Sequence, residues 1–285
     1  MSDPLAFFEL DGDQFRPTVL TRGPWRPEHQ HGGPPAALMA RAIEGVMGKA
    51  DSFQLARFTI DFLRPVPIAT LLSVRVERVR DGRRARGYAA VLWAGEEAVA
   101  RATALALRTE RPLPAPDPVR ERLLPLPEEA EPFRFPFFRE TIGYPTAIES
   151  RLARGAIGSG RAAAWMRQRV PLVQGEAPSP AQRLLVVADS GSGVGAVLDP
   201  VRLVPFINAD LSVSLHRLPD GEWIGLDSVT TLEAHSVGLT RTDLYDVHGA
   251  IGEGLQALVA GPAVTNPSRP SGHQKQEAKA PWEAP

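Results

Sequence analysis

The chain has no cysteine. That excludes disulfides, thiolate nucleophiles and cysteine-ligated zinc, and it fits a reducing cytoplasm. Net charge is missing as well: 32 basic against 33 acidic residues leave −1. The basic residues are scattered rather than massed, so nucleic acid is not an expected partner. Apolar runs are short, and a stretch such as Leu184 to Ala188 falls far below the roughly 20 residues of a membrane span. The first residues, Met1-Ser2-Asp3-Pro4-Leu5-Ala6, are acidic where a signal peptide is basic and then apolar, so a cytoplasmic location is expected. No Gly-x-Ser-x-Gly occurs, which argues against a serine hydrolase. Gly191-Ser192-Gly193-Val194-Gly195 is glycine-rich, but no lysine follows it to make a phosphate loop.

What is present is enough apolar sequence, 43% of 285 residues, to fill two cores of ordinary size. Prolines mark the divisions. They crowd between residues 111 and 145 (Pro112, Pro114, Pro116, Pro118, Pro125, Pro127, Pro132, Pro136), which reads as an extended connector between a domain at 1–110 and another at 146–262. Residues 263–285 are polar and proline-rich and are expected to be a disordered tail.

Each half repeats one order of elements. In the first, His31-Gly32-Gly33-Pro34-Pro35 leads into Ala36-Ala37-Leu38-Met39-Ala40-Arg41-Ala42-Ile43. Proline suits a first helical turn, where no partner awaits its missing N–H. The apolar run that follows predicts a buried helix. Strand patterns come next at Phe58–Leu63, Leu72–Val79, Gly87–Trp93 and Ala98–Leu107, with turns at Asp81-Gly82 and Gly95-Glu96. In the second half Ser179 to Ala188 predicts the helix, with Asp189-Ser190-Gly191 as its stop. Strands are predicted at Val213–Leu215, Trp223–Val229, Gly238–Tyr245 and Ala250–Val259. One helix followed by an antiparallel meander, twice over, is an internal duplication of an α+β unit.

The halves differ in chemistry. When Arg64 is laid on Arg217, Asp210 falls opposite Arg57, Thr231 near Arg78 and Val79, and Gln256 opposite Ala104. A polar trio in one copy predicts one working site and one retired one. Its bland alternatives are a turn-capping aspartate, an ordinary strand threonine and a structural glutamine. His29 and His31 stand two apart but lack a third ligand. Arg83, Arg84 and Arg86 read as a solvated hairpin tip, with a CoA phosphate as the alternative partner.

Phe62-Leu63-Arg64-Pro65, Arg80-Asp81-Gly82-Arg83 and the His31-to-Pro35 helix entry resemble the first half of type II acyl-CoA thioesterases. Asn208-Ala209-Asp210-Leu211-Ser212, Ser228-Val229-Thr230-Thr231 and Leu255-Gln256-Ala257-Leu258 are similar to the Asp, Thr and Gln strands of that family's second half. The stretch from Val170 to Pro180 departs from the family as an insert. The resemblance implies a double hot-dog fold, each sheet wrapped around a long helix, and hydrolysis of an acyl-CoA by a water that Asp210, Thr231 and Gln256 hold, with the adjacent Thr230 as the alternative to Thr231. It implies no cofactor and no metal. Hot-dog domains pair, and one chain supplies such a pair here, with a homo-oligomer possible beyond it. The chemistry also needs an oxyanion site, for which free N–H groups at the helix start around His31, Gly32 and Gly33 are suited. Two alternatives are a non-catalytic acyl-binding protein and an enoyl-CoA hydratase. The latter uses an Asp–His pair, and no histidine follows Asp210 at a suitable spacing.

Overall fold

A computed structural model describes residues 5–48, 52–109, 124–197, 202–203, 206–261 and 264–265. The first half holds β1 (Phe8–Asp11), β2 (Gln14–Pro17), α1 (Gly33–Met47), β3 (Phe53–Phe62), β4 (Leu72–Asp81), β5 (Ala85–Ala94) and β6 (Glu97–Arg108). After the connector come β7 (Glu131–Pro132), α2 (Tyr144–Ala147), β8 (Ile148–Gly155), β9 (Arg161–Gln168), α3 (Pro180–Ala188) and α4 (Gly191–Val194). The chain ends with β10 (Arg202–Leu203), β11 (Phe206–Asn208), β12 (Asp210–Leu215), β13 (Trp223–Leu232), β14 (Val237–Asp246), β15 (Gly249–Ala260) and β16 (Val264–Thr265).

One sheet carries both halves, in the order β1-β2-β4-β5-β6-β3-β12-β15-β14-β13-β9-β8-β7, with β11 extending the edge of β15. The halves meet where β3 pairs antiparallel with β12, Thr59 opposite Ser212, and their hydroxyls hydrogen-bond at 3.0 Å. The duplication therefore appears as a local two-fold about that pair. The pairing repeats even in its irregularities. The register of β3 against β6 shifts between Leu55 and Arg57, and the chain breaks between β11 and β12 at Ala209.

The helices pack on the sheet, α1 against β4 and β5 and α4 against β13. Residues Gly33 to Ala40 of α1 are all buried, as the apolar run predicts. It packs on α3 so closely that a Cβ on Gly33 would stand 2.0 Å from the Val186 carbonyl oxygen, so only glycine permits the crossing. The second-half helix is not long. It stops at Ala188, turns through Asp189 and Ser190, and restarts as the single turn α4.

Strands β8 and β9 are missing from the sequence pattern, and for β9 the reason is double coverage. Ala162, Ala164 and Met166 face the main core, whereas Ala163 and Trp165 pack outward with Leu124, Ala130 and Tyr245. With both faces buried, the period-two alternation reads as an unbroken apolar run. The connector is more than a spacer where it is described: Phe135 and Phe137 are buried in the main core. Pro112, Pro114, Pro116 and Pro118 of the connector, and the expected tail apart from Val264 and Thr265, lie outside the described residues. Among the described residues no helix is long and apolar enough to cross a membrane.

Candidate active site

The helix stop of the second half is where the chemistry gathers. Ser179 caps α3, its Oγ accepting the Gln182 N–H at 3.1 Å. The helix runs apolar to Ala188 and delivers Asp189 into the interior at 4% exposure. An aspartate at a helix C-terminus sits at the wrong end of the macrodipole, and a buried carboxylate needs partners. Asp189 has both problems answered from outside its own helix. Asn208 Nδ2 donates to its Oδ1 at 2.7 Å. Gln256 Nε2 donates to its main-chain oxygen at 3.0 Å, and Gln256 Oε1 accepts the Ser192 N–H at 2.9 Å. The N-terminus of α1 faces the carboxylate so closely that a Cβ on Gly32 would meet both carboxylate oxygens at 2.9 Å. That N-terminus presents about half a positive charge.

His31, at the entry to α1, brings Nδ1 to 3.1 Å from Asp189 Oδ2. Its ring lies flat on Tyr144, centroids 3.7 Å apart and planes 5° from parallel. The Tyr144 hydroxyl is fixed by Val186 O at 3.0 Å and Ser190 Oγ at 2.8 Å, and burial pushes its pKa up. Burial lowers the His31 pKa, with Asp189 pulling the other way. Both groups are therefore neutral near pH 7.

These residues open into a cavity of about 320 Å³. His31, Gly32, Asp189 and Asn208 line one part of it, and Trp25, Phe62, Phe135, Phe137, Phe138 and Phe206 supply aromatic walls. Trp25 stacks on Phe137 at 5.7 Å and meets Phe206 edge-on at 5.3 Å. Arg26 and Arg64 belong to the same lining.

The three side chains expected to share a water do not converge. Asp210 stands on the sheet face opposite to that of Gln256, and its Oδ1 accepts the Ala257 N–H at 2.7 Å. Thr231 is exposed, opposite Leu239. Thr230 is the one turned inward, bonded to Thr240 at 2.6 Å. Gln256 alone of the three reaches the cluster, and it is 1% exposed. The cause is the two-residue period of a strand, which places neighbours on opposite faces. At the helix entry, His31 and Gly32 line the cavity. Gly33 takes part through its N–H, 3.1 Å from His31 Nδ1.

Asp189 and Asn208 were missed. Asp189 passes for an ordinary helix stop, although its charge is wrong for a C-terminus, and that mismatch is the readable signal. The histidine lacking near Asp210 is supplied to Asp189 from the other half of the chain. The glycine-rich run beyond Asp189 serves packing, for a Cβ on Gly191 would meet Thr242 Oγ1 at 2.4 Å.

The duplication holds a second carboxylate. Glu44 follows Pro35 as Asp189 follows Pro180, and it faces the N-terminus of α3 as Asp189 faces that of α1. It accepts from Ser179 Oγ at 2.8 Å and from Gln182 Nε2 at 2.7 Å, and burial raises its pKa. Where the second half has Asn208 and Gln256, the matching register positions are Leu55 and Ala104, both buried. The first half keeps the carboxylate and lacks the two amides that the sheet supplies in the second.

Two family models match the chain: the acyl-CoA thioesterase N-terminal domain over residues 21–107 and the acyl-CoA thioesterase C-terminal domain over residues 120–260. The chain belongs to the acyl-CoA thioesterase family. It is a thioester hydrolase of α+β, double hot-dog architecture. Solved structures agree on the fold. An acyl-CoA thioesterase II, TesB2, from Mycobacterium marinum has a TM-score of 0.59 at 14% identity, with 91% of this chain and 96% of that one covered. A tesB protein from Mycobacterium avium gives 0.60 at 17%, with 90% and 96% covered. A hot-dog protein of unknown function from Alicyclobacillus acidocaldarius gives 0.68 at 18%, also with 90% and 96% covered. No curated protein matches the thioesterase.

Proposed function

We propose that the protein hydrolyses acyl-CoA thioesters at the Asp189 cluster. The observation that carries this reading is a buried carboxylate held by Asn208 and His31, on a turn pinned by Gln256, beside an apolar cavity and a helix N-terminus. Deprotonation of a water is driven by the Asp189 carboxylate, in surroundings where a charge acts more strongly than in water. Asn208 carries a carbonyl oxygen besides the amide it gives to Asp189, so it can also accept from that water. The thioester carbonyl lies against the start of α1, where the helix dipole stabilises the oxyanion. The acyl group occupies the aromatic part of the cavity, and Arg26 and Arg64 offer guanidinium groups to the phosphates of CoA. Of the expected trio, Gln256 stays in the site as the residue that holds the Asp189 turn. The domain division follows the seam between β3 and β12, with the site drawing on both halves.

Thiol release from a chain-length panel of acyl-CoAs tests this. Asp189→Asn should lower kcat by about 10²- to 10⁴-fold, the usual worth of a positioned acid–base group, while Asp210→Asn stays close to wild type. Full activity in Asp189→Asn overturns the assignment. Loss of the conjugated absorbance of an enoyl-CoA without thiol release would instead mark a hydratase.

A further inference from the structure

The cluster contains a conflict at a single atom. His31 Nδ1 stands 3.1 Å from Asp189 Oδ2 and also 3.1 Å from the Gly33 nitrogen, whose N–H points at it. One nitrogen of a neutral imidazole either carries a proton or accepts one. If Nδ1 is bare, it accepts from Gly33 and sets its lone pair against a carboxylate. If Nδ1 is protonated, it donates to that carboxylate, and the Gly33 N–H is left for another acceptor. A hydrogen bond to an ionised group is about twice as strong as one between neutral groups, and the first arrangement adds a repulsion. The carboxylate therefore selects the Nδ1–H tautomer.

We infer that His31 and Asp189 form a catalytic dyad across the seam of the two halves, in which Nε2 of His31 receives the proton of the attacking water and Asp189 holds Nδ1–H. This rests on the thioesterase reading of the site and assigns the proton within it. Two observations besides the contact support it. The ring lines the cavity, and both described contacts of its nitrogens are at Nδ1, which leaves Nε2 to the cavity side. The ring cannot turn freely, since it is stacked on Tyr144, whose own hydroxyl is tied at both ends. Asp189 and Tyr144 are the titratable groups against the ring. Burial keeps the imidazole neutral and so able to act as a base.

The step balances. Nε2 takes a proton as the water oxygen bonds to the acyl carbon, and the carbonyl electron pair moves onto oxygen. The start of α1, with the positive end of its dipole, faces that oxyanion. When the tetrahedral species collapses, the C–S bond breaks with its electron pair on sulfur. The sulfur takes the proton from Nε2, giving CoA thiol and free acid and restoring the neutral ring. The proton is placed as in serine-protease triads, where a buried aspartate holds Nδ1–H and leaves Nε2 as the base.

The test uses the full chain with the acyl-CoA that it turns over best. His31→Asn keeps an amide that can donate to Asp189 but has no basic nitrogen. Its kcat should fall about 10²- to 10⁴-fold with KM within about threefold, and the low-pH limb of the kcat profile, expected below the ordinary histidine value of about 6.5, should vanish. His31→Ala should regain activity with added imidazole, which a packing role would not allow. Nitrogen-15 spectra of the wild-type imidazole at pH 7 should place the proton on Nδ1, whether or not the variants fold. A proton on Nε2, or a His31→Asn enzyme with wild-type kcat and pH limb, overturns the dyad and leaves Asp189 to act alone. A wild type that releases no thiol from any acyl-CoA overturns the underlying reading instead.

Discussion

Gln256 tests whether the cluster is organised as described. Its amide is 1% exposed and satisfies two main-chain groups, donating to Asp189 O at 3.0 Å and accepting from Ser192 N–H at 2.9 Å. Gln256→Leu fills much the same volume but strands both groups away from water. Each orphaned buried group costs about 1–3 kcal/mol, and the better burial of leucine offsets part, so the net loss is about 2–4 kcal/mol. For a chain of this size that lowers Tm by roughly 4–16 °C. Activity should fall further than stability accounts for, because the turn carrying Asp189 loses its anchor. Gln256→Glu keeps the acceptor toward Ser192 but puts a second carboxylate 3.5 Å from Asp189 Oδ1. Like charges at that distance cannot both ionise easily, so the variant should need a pH at least about one unit higher for half-maximal kcat. Thermal and urea unfolding with parallel thiol-release assays give both quantities. Thr231→Val is the control; an exposed strand position should stay within about 0.5 kcal/mol and keep full activity. A Gln256→Leu protein with wild-type Tm and kcat refutes the reasoning.

Gly32→Ala would set a Cβ 2.6 Å from Phe62 Cζ and 2.9 Å from both Asp189 oxygens; the ring can move but the carboxylate cannot without leaving its donors, so kcat/KM should drop at least about tenfold for about 1–3 kcal/mol of stability. At the far end of the second half, Arg217 donates to the buried Asp246 carboxylate at 2.6 Å. Burial alone would raise the Asp246 pKa, but Arg217 and the N–H groups of Asp220 and His248 prevail and hold it low. Its stabilisation is therefore complete above about pH 4 and is lost as pH falls through the lowered folded-state value. Arg217→Ala leaves a buried charge unpaired, at a cost of about 3–5 kcal/mol, and should move the acid-unfolding midpoint to higher pH.

The order of elements was legible because it depends on local pattern. The apolar first turns of α1, the Ser179-Pro180 start of α3 and the alternation along β4, β14 and β15 were readable, and so was the duplication. Strand β9 was not, since burial on both faces erases its alternation. The site was half legible. His31, Gly32 and Gly33 followed from the physics of a helix start, and Gln256 from the oddity of an amide in an apolar run.

Facing and convergence were set by the tertiary structure alone. The bulge at Ala209 and the β12–β15 register turn Asp210 away from Gln256 and bring Asn208 toward Asp189. No local pattern encodes which of two neighbouring polar residues points inward, because a strand's faces differ by one residue and the register is fixed by partners far along the chain. Asp189 reads as a plain helix stop until α1 from the other half lays its N-terminus and His31 against it. The amino-acid order specified the pieces and their polarity. The packing of two helices, close enough to require glycine at residue 33, brought His31 and Asp189 together between them.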